Sequence, residues 1–115
     1  MSDATYRLVV RTPEATAFDD EAASAVLPGL GGFYGVFPGH APMLGSVAPG
    51  ILDVRTGGGR RWFVVGGGFC EVGLGRVEVF VDAAIAVPDP AEAEERLEAY
   101  VREIALAPTA ATPAV

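Results

Sequence analysis

Cysteine and histidine each occur once in the 115 residues, as Cys70 and His40. A single thiol rules out an internal disulfide and suits a reducing compartment. A single imidazole leaves only carboxylates and Cys70 to complete a metal site, and their spacing suggests no ligand set. Basic residues are also scarce, 8 against 15 acidic ones, for a formal net charge of −7. Phosphate backbones and anionic lipid surfaces both demand clustered cations, so neither nucleic acid nor a lipid headgroup layer is an expected partner. No apolar run approaches the ~20 residues that span a bilayer, so no direct membrane insertion is expected. The stretch MSDATYRLVV lacks the basic start and apolar region of a secretory signal. The chain reads as soluble and cytoplasmic, with any membrane link made through a partner.

What is present is glycine, 15 residues, and an apolar half of the composition, enough for one domain with one core. Glycine and proline punctuate short apolar runs, the pattern of a sandwich or barrel. In Tyr6–Arg11, Tyr6, Leu8 and Val10 share one face and Arg7 and Arg11 the other. In Phe69–Leu74, Cys70, Val72 and Leu74 alternate with Phe69 and Glu71. In Arg76–Asp82, Val77, Val79 and Val81 oppose Glu78 and Phe80. Ile51–Arg55 and Arg61–Val65 flank Thr56-Gly57-Gly58-Gly59, a hairpin turn. Ala22–Leu27 is a poorer strand because alanine is a weak strand former. The period then changes. Asp89 can cap a helix, Pro90 suits its first position and Glu92 can reach back. Ala93, Leu97, Tyr100 and Ile104 follow as one apolar stripe, with Glu92–Arg96 and Glu98–Arg102 as i,i+4 pairs. The expected architecture is mainly β, nine or ten strands over residues 1–87, then one helix over 88–107 ending at Ala107-Pro108. A small, Pro/Ala-rich tail, 108–115, is expected to be disordered.

Chemistry-bearing patterns reduce to structural roles. Cys70 shares an apolar alternation and reads as an inert buried thiol, since a nucleophile needs nearby cations and a base. His40 reads as a turn or interface residue. The runs Gly57–Gly59 and Gly66–Gly68 join strand to strand, whereas phosphate loops open helices. Asp19, Asp20 and Glu21 read as a solvated loop, and the helical Glu residues as a wet face biased toward the positive helix start. Nothing assembles nucleophile, base and oxyanion donors, so no enzyme and no cofactor are expected.

Gly29–Gly50 reads GLGGFYGVFPGHAPMLGSVAPG, followed by Ile51-Leu52 and then Gly67-Gly68-Phe69-Cys70-Glu71-Val72. A Gly-rich stretch, Pro38-Gly39-His40-Ala41-Pro42, Pro49-Gly50-Ile51-Leu52 and GGFCEV stand here in order. This resembles the epsilon subunit of F-type ATP synthases, called delta in mitochondria, from about Tyr6 to Asp82 and more loosely to Leu106. The resemblance implies a ten-stranded β-sandwich followed by helix. It implies a rotor role in the central stalk, clamping the gamma subunit to the c-ring so that ion flow drives ATP synthesis, with indirect contact to the alpha and beta catalytic subunits. It places the protein peripherally on the cytoplasmic face of a bacterial inner membrane. The stretch Pro28–Gly35 resembles the ring-facing loop, with Gly31 and Gly32 and exposed anchors Phe33 and Tyr34. His40, Ala41, Pro42 and Met43 stand in the gamma-facing region.

Two departures from the family matter. Members often carry an acidic residue where Phe33 stands, so a charge-based ring contact is not implied there. The family usually ends in two helices, and one is legible here. A helix of 17 residues reaches only about 25 Å. The family's ATP-associated pattern places an arginine at an offset absent after Asp89, so weak or no ATP binding and no extended inhibitory arm are expected. From another class, the rival reading is a free-standing β-sandwich that binds a small ligand or peptide.

Overall fold

The computed structural model describes residues 4–105. Ten strands precede one helix. They are β1 (Tyr6–Arg11), β2 (Thr16–Ala22), β3 (Ser24–Gly29), β4 (Gly32–Val36), β5 (Met43–Val47), β6 (Gly50–Thr56), β7 (Gly59–Val65), β8 (Gly68–Gly73), β9 (Arg76–Val81) and β10 (Ala84–Val87), then α1 (Pro90–Ala105). The strands form two five-stranded sheets, β2-β1-β9-β8-β5 and β10-β7-β6-β3-β4. All pairings are antiparallel except β1 with β9.

The alternation seen in sequence is what fills the space between the sheets. Tyr6, Leu8 and Val10 of β1, Val77, Val79 and Val81 of β9, and Cys70 and Val72 of β8 meet Ala25, Leu27, Leu52, Val54 and Phe63 from the facing sheet. Each such side chain contributes on the order of 1.5–3 kcal/mol by leaving water. Val9 is buried as well, although it faces outward. Its register partners are Asp19 and Glu78, and the ion pairs Arg7–Asp19 and Arg11–Glu78 span the same outward row. The aliphatic stems of these arginines cover it.

Several expectations are corrected. Leu74 is 89% exposed, because Leu74-Gly75 is the two-residue turn joining β8 to β9, and Gly75 takes a positive φ of 71°. Asp19, Asp20 and Glu21 belong to the edge strand β2, not to a loop. The run Ala22–Leu27 is broken at Ala23, where the chain leaves one sheet for the other and the Ala23 amide donates to the Arg55 carbonyl at 2.7 Å. Pro28–Gly35 is a hairpin around Leu30-Gly31, not an irregular loop. The hairpin at Gly57-Gly58 forms as expected, with Thr56 opposite Gly59. Gly66–Gly68 carry the chain back between sheets. A side chain at Gly68 would fall on the Phe80 carbonyl oxygen, so only glycine fits.

The helix begins as its residues dictate. Asp89 Oδ1 accepts from the Glu92 amide at 2.8 Å, and Pro90 occupies the first turn. Glu98–Arg102 pairs at 3.8 Å, whereas Glu92 and Arg96 make no ion pair among the described residues. Ala93, Leu97 and Tyr100 pack on Val64, Val87, Ile51, Trp62 and Ile85. The helix therefore lies on its own sandwich, across the outer face of β10, β7 and β6. Ile104, expected in the same stripe, is 47% exposed. The expected helix end at Ala107-Pro108 and the tail lie outside the described residues.

Candidate functional site

The stretch that carries the family motif forms one side of the sandwich. Gly31 turns the hairpin, and Gly32, Phe33 and Tyr34 open β4. Gly32 has φ of 127°, a conformation that glycine tolerates best. β4 then runs about 16 Å at strand rise to the turn Phe37–His40, where the His40 amide donates to the Phe37 carbonyl at 3.2 Å. Ala41 and Pro42 lead into β5, whose first residue is Met43. The two candidate groups thus lie at opposite ends of one edge.

β4 and β5 belong to different sheets, and side chains tie them. The Tyr34 hydroxyl donates to the Ser46 carbonyl at 2.7 Å. Ser46 Oγ accepts from the Leu30 amide at 3.1 Å, and the Ala48 amide donates to the Pro28 carbonyl at 2.8 Å. Gly45 makes this approach possible. A Cβ there would stand 2.8 Å from the Tyr34 hydroxyl and 3.1 Å from the Met43 methyl. The four residues Gly31–Tyr34 consequently divide. Phe33 points outward and is 72% exposed, while Tyr34 turns inward, half-buried against the core. Met43 is also half-buried against that core, His40 is partly covered, and Ala41 and Pro42 are exposed.

Tyr34 and Cys70 are both held neutral here. Burial, and next the neighbouring Cys70, push the Tyr34 phenol up to about 12. Burial pushes the fully enclosed Cys70 thiol up to about 11, and its hydrogen bond with Tyr34 offsets only part of that. The His40 Nδ1 lies 2.8 Å from the Ala41 carbonyl, a local turn contact. Among the described residues no group of three His, Cys, Asp or Glu side chains converges as a metal site. The arrangement offers shape and stiffness.

Some exposed apolar residues escaped the sequence reading. Leu30 is 82% exposed at the hairpin tip, Phe37 58% beyond β4 and Leu44 71% on β5. Leu44 lies on the same outer face as Phe69, which stacks on Phe80 with centroids 5.0 Å apart. Strict alternation in Met43–Val47 was the available signal, since Leu44 is out of phase with Val47.

The ATP synthase delta/epsilon chain β-sandwich domain model matches residues 5–87, the whole sandwich. The chain belongs to the ATP synthase delta/epsilon family. It is 41% identical over 86 residues to the ATP synthase epsilon chain of Rhodopseudomonas palustris (strain BisB5), covering 75% of this chain and 64% of that one. Against the epsilon chain of Desulforudis audaxviator (strain MP104C), identity is 40% over 84 residues, 73% and 61% of the two chains. The epsilon chain of Myxococcus xanthus (strain DK1622) matches over 112 residues at 38%, 90% and 81% of the two. The chain thus spans somewhat under two thirds of the first two relatives. Solved structures share the fold. A chain in the Euglena gracilis mitochondrial ATP synthase assembly superposes with TM-score 0.71 at 24% identity, covering 94% of this chain and 70% of that one. One in the Tetrahymena thermophila mitochondrial ATP synthase central stalk/c-ring superposes with TM-score 0.59 at 14% identity, covering 87% and 91%. Among the described residues of this delta/epsilon-family chain, no helix is long and apolar enough to cross a membrane.

The buried thiol yields a direct test. Raising a thiol from 9.0 to about 11 removes roughly a hundredfold of thiolate at pH 8. Iodoacetamide should therefore label native Cys70 at least about a hundredfold more slowly than the urea-unfolded chain. Comparable rates would show that the two sheets do not enclose it.

Proposed function

We propose that this chain is the rotor epsilon subunit of a bacterial F-type ATP synthase, clamping the gamma subunit to the c-ring and catalysing nothing itself. The observation that carries the reading is the braced edge within a matched delta/epsilon sandwich. The ring-facing tip (Gly31, Gly32, Phe33) and the gamma-facing turn (His40, Ala41, Pro42, Met43) are ends of one short, cross-tied β4–β5 unit. A close-packed sandwich deforms little, so torque applied at one end is delivered at the other. At the tip the contact is aromatic. Phe33 supplies an anchor of the kind enriched in interface centres, and Tyr34 braces the strand from behind. No cofactor is needed. Contact with alpha and beta subunits is indirect, and the membrane association, on the cytoplasmic face, is through the ring.

Three experiments test this reading. Immobilised cognate gamma should retain the chain. Ala41→Glu, an exposed site, should weaken capture by about tenfold or more, as expected when a charge enters an interface centre. Phe33→Asp should leave gamma binding within about twofold yet lower coupled ATP synthesis in reconstituted vesicles. A chain that ignores gamma and stays monomeric would instead favour a free-standing ligand-binding sandwich. The helix spends its buried stripe on its own sheet, which supports a reading without an extended inhibitory arm. ATP hydrolysis by complexes carrying the 115-residue chain and one ending at Pro88 should agree within about twofold. A large activation on truncation would contradict that part of the proposal.

A further inference from the structure

A second apolar surface adjoins the braced edge, sharing Phe33 with it, on the outer face of the β10-β7-β6-β3-β4 sheet. The helix α1 occupies β10, β7 and β6. Beside it, Val26 on β3 and Phe33 on β4 point outward and stay 37% and 72% exposed. Strands lie about 4.8 Å apart, so the bare strip is about 10 Å wide, the diameter of one helix. On α1, Val101 is left 46% exposed on the flank toward the strip. Between them runs an open cleft of about 490 Å³, floored by Phe33, Ile51, Leu97 and Val101.

The cleft is not uniformly apolar. Glu94 and Glu98, one helical turn apart, line the same cleft. Glu94 makes no ion pair among the described residues, and Glu98 reaches Arg102 only at 3.8 Å in a solvated pair. From Asp89 to Glu103 there are six acidic and two basic residues. A neutral or acidic occupant would leave these carboxylates desolvated or repelled, whereas a basic one would pair them. A strand is a poor fit, since the face of a sheet offers no free backbone groups, which lie only along its edge.

We propose that this cleft docks an amphipathic α-helix of a partner chain. Its apolar stripe enters between Phe33 and Val101, and Lys or Arg residues four apart meet Glu94 and Glu98. The inference stands on the cleft itself and not on the rotor reading.

The test uses the full chain and two fluorescein-labelled model helices of Leu and Ala. One carries Lys at i,i+4 positions along one flank, and the other carries Glu there. By fluorescence anisotropy the Lys helix should bind at least about tenfold more tightly, with the preference shrinking as salt is raised from 0.05 M to 0.5 M. The double variant Glu94→Lys, Glu98→Lys, both exposed positions, should reverse the preference while circular dichroism shows an intact fold. Val101→Asp should weaken both helices. Absence of binding by either helix, or equal affinities, overturns the proposal. A Lys preference that survives charge reversal also overturns it, because it assigns the attraction to the general −7 charge and not to this cleft.

Discussion

The Tyr34 hydroxyl, donating to the Ser46 carbonyl at 2.7 Å, holds together a side of the sandwich that no strand pairing closes. Sheets stack through side chains, and their rims part most readily where edge strands face one another without hydrogen bonds. Here β4 and β5 are such a pair. Three ties cross between the β3–β4 hairpin and the β5 region: Tyr34 to Ser46, Leu30 to Ser46 and Ala48 to Pro28. At about 1 kcal/mol net each, they amount to a sizeable part of a small domain's stability. The first of them depends on Gly45, because a Cβ there would stand 2.8 Å from the Tyr34 hydroxyl.

The other rim is closed differently. Phe18 of β2 meets Phe63 edge-on at 5.8 Å, and the Arg61 guanidinium lies over Phe18 at 5.7 Å. The outer face around β1 is covered by ion pairs. The Arg76 hydrogen bond, foremost, holds the Glu78 carboxyl below its ordinary range, and the Arg7 hydrogen bond does the same for Asp19. These pairs are exposed and contribute little individually, so their value is in covering Val9. Enclosure between the sheets, not charge, accounts for the stiffness of the body.

Much of this was legible because it is local. Tyr6, Leu8 and Val10 announce their face by alternation, Gly57-Gly58 their turn, and Asp89-Pro90 the helix start. What stayed hidden depends on partners distant in the chain. Ala23 looks like part of one strand run until the Arg55 carbonyl draws its amide across the sandwich. Leu74 continues the pattern of Cys70 and Val72 but lies where β8 must turn back to pair with β9. Asp19, Asp20 and Glu21 have loop composition, yet they stand in a strand because an edge strand can expose both faces. The candidate site was found by motif, but its division into an outward Phe33 and an inward Tyr34 was not. Strand geometry forces neighbours apart, and the register that sets Tyr34 opposite the buried Leu27 and Phe33 opposite Pro28 decides which of the two turns inward.

The central claim is that the β4–β5 edge opens only when the whole sandwich does. Native-state hydrogen exchange at the Ala48 amide tests it most directly, since that amide reports the cross-edge bond to Pro28. The account predicts an opening free energy equal to that of a core amide such as Val79, with Tyr34→Phe lowering the Ala48 value selectively. Fast local exchange at Ala48 while Val79 stays protected would contradict it.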